Sequence, residues 1–176
     1  MSVLCNILSK CPPRHAIAMG WYDYNDSATQ TTPLSVSSGV RTFIPNDGLG
    51  AFSQNDFGIP SITDIYDSST GAFDFTKLNI GDTVGIRLDL EYDTANPNQT
   101  VTQRLDLAIG DAAQYFIKWG SENIYKTAKT HQFSLFNKIY IGNEETRDNP
   151  AKFSVLSDGA LDVTVNGYYI EVMQRW

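Results

Sequence analysis

The sequence predicts an all-β protein, an antiparallel sandwich of short strands. Three patterns carry that expectation. From Thr83 to Tyr92 the chain alternates strictly: Val84, Ile86, Leu88, Leu90 and Tyr92 take one parity, and Thr83, Gly85, Arg87, Asp89 and Glu91 take the other. Successive strand side chains point to opposite faces, so this is a strand with one apolar and one wet face. Turn signals recur at short intervals along the rest of the chain, at the spacing of sandwiches and barrels. No long stretch repeats its apolar residues at helical spacing. With 176 residues, one domain large enough to bury a real core is the simplest organisation.

Taken in order, residues 1–13 read as an arm. Cys11-Pro12-Pro13 blocks regular structure, because each proline removes a donor and restricts the residue before it. Val3, Leu4, Ile7 and Leu8 make one amphipathic turn, and are either a frayed terminus or an anchor that packs on a partner. The domain proper occupies 14–176. Ala16–Tyr24 reads as a first strand, 33–36 and 40–44 as short ones. A glycine-rich loop then runs from Pro45 to Pro60, with Leu49, Phe52 and Phe57 as surface contacts. Ile62–Tyr66 reads as a strand, 67–71 as a turn and 72–75 as a further short segment. Residues 100–109 alternate again, with Gln103 the imperfection among Val101, Leu105, Leu107 and Ile109.

Two segments, 115–119 and 123–125, are expected to be separated at Gly120-Ser121. In 132–141 the parity change near Phe136-Asn137 suggests a bulge or burial on both faces. Residues 142–150 read as a charged loop. Asn166-Gly167 is the strongest two-residue hairpin signal in the chain, since both central residues of a type I′ turn need positive φ. Such a turn sets Val165 opposite Tyr168, Val163 opposite Ile170 and Leu161 opposite Val172, all on one face. That hairpin and the 100–109 strand are expected to cover the 83–92 strand. Its outer charges, Arg87, Asp89 and Glu91, meet water or a subunit contact, with water favoured.

Charge and composition bound the function. A formal net charge of −7 argues against a nucleic-acid backbone as main partner, because phosphate neutralisation needs a basic surface. No apolar run approaches the roughly 20 residues of a membrane helix, so no membrane partner is expected. The first ten residues lack a basic n-region and a long apolar stretch, so export by a Sec-type signal is not expected. Cys5 and Cys11 read as free thiols, with a disulfide or metal site as the alternative.

No catalytic set emerges. His15 and His131 are the two histidines, and His131 reads as a strand-start residue at the surface. The chain has no nucleophile elbow, HExxH, phosphate-binding Gly-Lys loop or dinucleotide fingerprint. Asp23 with Asp26, and Asp64 with Asp67, are either calcium ligands or solvated turns. A glycosidase pair of carboxylates is a matter of spatial separation that sequence does not give. Trp21, Tyr22, Tyr24, Trp119 and Tyr125 are either a sugar-stacking platform or core and contact residues. Asn25-Asp-Ser27 and Asn98-Gln-Thr100 match the glycosylation triplet, which means little without export. No cofactor is expected.

Trp21-Tyr22 in the first strand, Gly-Asp-x-Val-x-Ile-Arg at 81–87 and the aromatic-apolar final strand 168–172 resemble the TNF/C1q-like jelly roll, over roughly 14–176. The polar Asn/Asp/Gly/Thr-rich style looks more like the version found in tailed-phage virion proteins, including head decoration (cement) proteins. The resemblance implies a jelly-roll β-sandwich that forms a homotrimer, with an N-terminal arm reaching a capsid or neighbour. It also implies the major capsid protein as partner, a place in the virion assembled in the host cytoplasm, and no catalytic residues. The leading expectation is therefore a non-enzymatic decoration protein that stabilises the shell. A receptor- or glycan-binding fibre head, using the Gly48–Gly58 loop, and a glycan hydrolase are the alternatives.

Overall fold

A computed structural model describes residues 17–54, 57–94, 96–125 and 130–175. Eleven strands appear among them: β1 (Ile17–Asn25), β2 (Leu34–Val36), β3 (Thr42–Phe43), β4 (Tyr66–Asp67), β5 (Ala72–Phe73), β6 (Thr83–Thr94), β7 (Gln99–Leu107), β8 (Tyr115–Ile124), β9 (Thr130–Tyr140), β10 (Lys152–Ser157) and β11 (Leu161–Arg175). One sheet runs β1-β11-β6-β9, with β2 also on β11, and the other runs β3-β10-β7-β8. Every pairing is antiparallel. Set aside the minor strands β2, β4 and β5. The eight that remain then stand first-eighth-third-sixth in one sheet and second-seventh-fourth-fifth in the other. That is the doubly wound order of a jelly roll.

The core lies between the sheets. Val84, Ile86, Leu88, Leu90 and Tyr92 on β6 are all buried, as their parity requires, and Val101, Leu105 and Leu107 of β7 face them from the opposite sheet. Fully burying each such side chain stabilises the fold by about 1.5–3 kcal/mol. An aromatic cluster fills one part of this layer. Phe153 meets Trp119 and Phe73 edge-on, with ring centroids at 5.0 and 5.5 Å, and Tyr66 meets Tyr168 at 5.2 Å. Gln103 lies inside this core and donates through Nε2 to the Tyr92 hydroxyl at 2.6 Å.

The 166–167 hairpin is not formed. β11 runs straight through both residues as a single 15-residue strand, and neither has positive φ. Instead the register against β6 shifts between Val165 and Gly167, so Asn166 is the extra residue of a β-bulge. A one-residue bulge and a two-residue turn change parity alike. Leu161, Val163 and Val165 on one side and Tyr168, Ile170 and Val172 on the other therefore all face the core, as the hairpin required. The bulge is held by the end of β1 and the segment after it: Val165 N–H donates to Thr29 Oγ1 at 2.8 Å, and Asn25 Nδ2 donates to the Asn166 carbonyl at 3.2 Å. Gly167 is required because a Cβ there would lie 2.5 Å from Asn25 Nδ2 and 2.8 Å from the Tyr24 carbonyl. β11 thus lies beside β6 in one sheet and does not cover it; β7 does.

Other departures have local causes. β8 is continuous through Gly120-Ser121, and the break expected there is a bulge at Trp119, since Gln103 pairs with Gly120 and Arg104 with Lys118. β9 pairs with β6 in unbroken register, with no bulge at 136. Phe136 points outward because Gly85 opens the space beneath it; a Cβ at Gly85 would come within 2.6 Å of its ring. Of 62–66 only Tyr66 is in a strand, while Ile62 and Ile65 are buried in irregular chain. The 142–150 segment contains a short helix, Glu144–Asp148, capped by the Asn143 side chain, which accepts from Thr146 N–H at 3.0 Å.

Candidate interaction surfaces

The long loop after β3 serves one sheet edge. Asp23 and Gln54 exchange both backbone hydrogen bonds at 2.7 Å, Gly50 N–H donates to the Asn25 carbonyl at 2.8 Å, and Trp21 N–H to the Phe57 carbonyl at 3.1 Å. The loop is thus laid along the free side of β1 and removes an exposed edge. Gly20 and Gly58 allow the approach, since a Cβ at Gly20 would lie 2.5 Å from Ile59 N and one at Gly58 2.4 Å from the Tyr22 ring. Asp26 anchors the loop's base. Its buried carboxylate accepts from Thr29 N–H at 2.6 Å and from Asp47 N–H at 2.7 Å. Of the expected loop contacts, Leu49 and Phe52 stand 76% and 81% exposed, and Phe57 stacks on Trp21 at 4.8 Å. Val3, Leu4, Ile7 and Leu8 lie outside the described residues.

The outer face of the β1-β11-β6-β9 sheet is acidic and aromatic. Arg87 packs over Tyr169 at 5.4 Å and bonds Asp89 at 2.8 Å. Lys138 reaches Glu171 at 3.4 Å, and Asn166 Nδ2 donates to Glu91 at 3.2 Å. Asp23 sits beside Tyr169 on the paired strand. Burial pushes the Asp23 carboxyl above its ordinary value against the pull of Arg87, and the neighbouring Asp89 charge adds to the rise.

The outer face of the other sheet is basic. Arg41 and Lys152 flank Phe43 at 5.2 and 5.6 Å, and Arg104 lies 4.4 Å over Phe116, with Lys118 its pairing partner on β8. The carboxylate in this group, Asp106, is buried, paired with Arg41 at 2.8 Å and hydrogen-bonded by the Ser154 hydroxyl.

The third surface is a cleft where the two sheets part. β8 and β9 touch at Trp119, whose carbonyl accepts from Asn137 Nδ2 at 3.0 Å, and then diverge. The space between them, 380 Å³, is lined by Leu107, Tyr115, Ile117, Ile139 and Tyr140, with Lys138, Gly142, Asn143 and Thr146 at its rim. The Tyr115 hydroxyl and Thr146 Oγ1 meet at 3.0 Å across its end. Sequence reading missed this cleft. Its signal is the run Tyr115-Phe116-Ile117, three large apolar residues that no half-buried strand can place on one face.

The other candidates are not brought together. Tyr22, Tyr24 and Trp119 are buried in the core, which leaves a half-buried Trp21 and an exposed Tyr125 of the sugar platform. Asp23 faces Arg87 while Asp26 is inside the loop base, and Asp67 accepts from Ser69 and Thr70 in its own turn. Among the described residues no three His, Cys, Asp or Glu are grouped to hold a metal ion, and no helix is long and apolar enough to cross a membrane.

No protein-family model matches the sequence, and no curated protein aligns with it. The fold is similar to solved viral structures. It matches a chain of infectious bursal virus-derived T=1 particles at TM-score 0.50 and 10% identity, over 94% of this chain and 33% of that one. It matches a chain of the T13 infectious bursal disease virus particle at TM-score 0.49 and 11% identity, over 94% and 33%. The chain thus spans about a third of the length of these viral proteins, and at such identity the likeness speaks to fold alone. A xylan-binding domain, CBM22-2 of Paenibacillus barcinonensis Xyn10C, aligns at TM-score 0.30 and 15% identity, over 56% and 64%. A likeness that slight bears on neither fold nor ligand.

Proposed function

We propose that this chain is a non-enzymatic structural protein of a virus particle, a homotrimeric decoration (cement) protein of the tailed-phage type that binds and stabilises the capsid shell. The observation that carries the reading is the opposite charge of the two outer faces. One presents Asp23, Asp89, Glu91 and Glu171, with Arg87 and Lys138 paired to two of them, around Trp21 and Tyr169; the other presents Arg41, Arg104, Lys118 and Lys152, with the buried Asp106 paired to Arg41, around Phe43 and Phe116. Unlike faces on one molecule favour heterologous contacts between copies, which form a ring when the rotation closes. The fold is one that a chain of virus-derived T=1 particles also has, which is consistent with a particle role. Asp26 and Asp67, two of the carboxylates singled out as ligands, instead hold a loop base and a turn.

Light scattering at micromolar concentration tests the assembly, with a trimer expected. Arg104→Glu with Lys118→Glu shifts it to monomer, as does high salt. A strictly monomeric wild-type protein overturns the trimer. Cosedimentation with capsids tests the partner, and protein left in the supernatant overturns it. One feature favours the fibre-head reading instead: the Phe57-Trp21 stack beside Tyr169 on the acidic face, with centroids at 4.8 and 6.0 Å. Clear glycan-array hits lost in Trp21→Ala replace the decoration reading with that one.

A further inference from the structure

We propose that the cleft between β8 and β9 is the seat of this chain's own N-terminal segment, with Val3, Leu4, Ile7 and Leu8 entering it in cis. The inference does not rest on the particle reading. Three observations carry it, the first being place. Met19, Met173, Thr83 and Tyr140 lie in one row across the sheet, so β1 begins at the end of the sandwich where the cleft opens. Three strand spacings, roughly 14 Å, separate β1 from β9. Residues 9–16 alone span up to roughly 26 Å when extended, so residues 3–8 reach the cleft of their own molecule.

The second observation is chemistry. The cleft offers Leu107, Tyr115, Ile117, Ile139 and Tyr140, and the segment offers four aliphatic side chains spaced to share one face of a turn. The third is charge. Residues 1–16 hold Lys10 and Arg14 and no carboxylate, whereas the remaining chain sets all twenty carboxylates against eleven Lys and Arg. Near the cleft itself Glu144 and Glu145 are balanced by Lys138 in the lining and by Arg147, which reaches Glu144 at 3.8 Å, so the attraction is to the acidic domain as a whole. A tether this short holds the segment at about millimolar effective concentration, which favours its own cleft over a neighbour's in dilute solution.

The native cysteines supply the test. In a full-length Cys11→Ser, Tyr140→Cys variant, Cys5 is the thiol of the segment and the introduced thiol lies at the cleft. Oxidised glutathione should close a disulfide within one chain, seen as a fast-migrating monomer on a non-reducing gel. Asp162→Cys, at the far end of the same sheet, should close at least about 10-fold less. Adding Ile7→Asp and Leu8→Asp to the Tyr140→Cys variant should lower its yield at least about 10-fold, because two aliphatic side chains no longer favour burial. Equal closure at the two positions overturns the proposal, as do adducts only between chains or a yield indifferent to the aspartates.

Discussion

The buried pair Gln103 and Tyr92 gives a direct test of how this core tolerates polarity. Both side chains are fully buried, and Gln103 Nε2 donates to the Tyr92 hydroxyl at 2.6 Å, while Gln103 Oε1 has no partner. Tyr92→Phe removes the acceptor and leaves the whole amide unsatisfied in the core, which costs about 1–3 kcal/mol. Gln103→Met keeps the volume but leaves the tyrosine hydroxyl without its partner. It costs a similar or smaller amount, because it also removes the orphan Oε1. The double variant replaces both polar groups by apolar ones and is expected near wild-type stability. The coupling energy is then about 2 kcal/mol, and each single variant loses about 2–4 °C in Tm per kcal/mol. Urea titrations at equal m-value measure all four corners of the cycle. A double variant that loses the sum of the two singles refutes the reasoning, since it shows that the pair is not a unit.

Three further outcomes follow from the same geometry. Gly167→Ala drives a Cβ into the Tyr24–Asn25 backbone and should cost more than about 1–3 kcal/mol. Asn166→Ala loses only its bond to Glu91 and should cost less than about 1 kcal/mol in chemical denaturation; the reverse order would restore the type I′ hairpin. Arg41→Met leaves the buried Asp106 carboxylate with Ser154 as its remaining polar contact, an expected loss of about 1–3 kcal/mol in thermal melts. Burial raises the pKa of Tyr22, Tyr66, Tyr92 and Tyr168 above the ordinary tyrosine value of about 10. The unfolded chain releases these protons first, so stability is complete below about pH 10 and falls as pH rises further. Tyrosinate absorbance from these four should appear together with loss of structure, and gradual ionisation of all nine tyrosines in an intact fold would contradict it.

What was legible in the sequence followed from parity. The inner faces of β6, β7 and β11 are the ones that alternation selects, because one buried sheet face punishes any one-residue slip. What was not legible depended on contacts distant in the chain. Asn166-Gly167 has the same local pattern whether the chain reverses or bulges. The choice is made by Thr29 and Asn25, which satisfy the bulge backbone from about 140 residues away, with sequence separations of 136 and 141. Gln103 looked like a flaw in a strand because its partner Tyr92 lies on another strand across the sandwich. Leu49, Phe52 and Phe57 are exposed, but the loop's role as a cover for β1 lies in backbone bonds that carry no side-chain signal.

The two open sides of the sandwich are managed differently, and that difference locates its sociable surface. At β1 the backbone edge is occupied by Gln54, Phe57 and Gly50, and two glycines without room for a Cβ hold that cover close. At β8 no comparable cover appears among the described residues. The strand shows Tyr115, Phe116 and Ile117 to solvent, and Tyr140 of β9 stands 73% exposed across the cleft. An uncovered edge beside exposed apolar side chains is a hazard that natural sheets avoid unless something pairs with it or lies over it. A chain that shields one edge with a long loop has the means to shield the other. Seated in the cleft as proposed, the N-terminal segment would give β8 and β9 the cover that the loop gives β1.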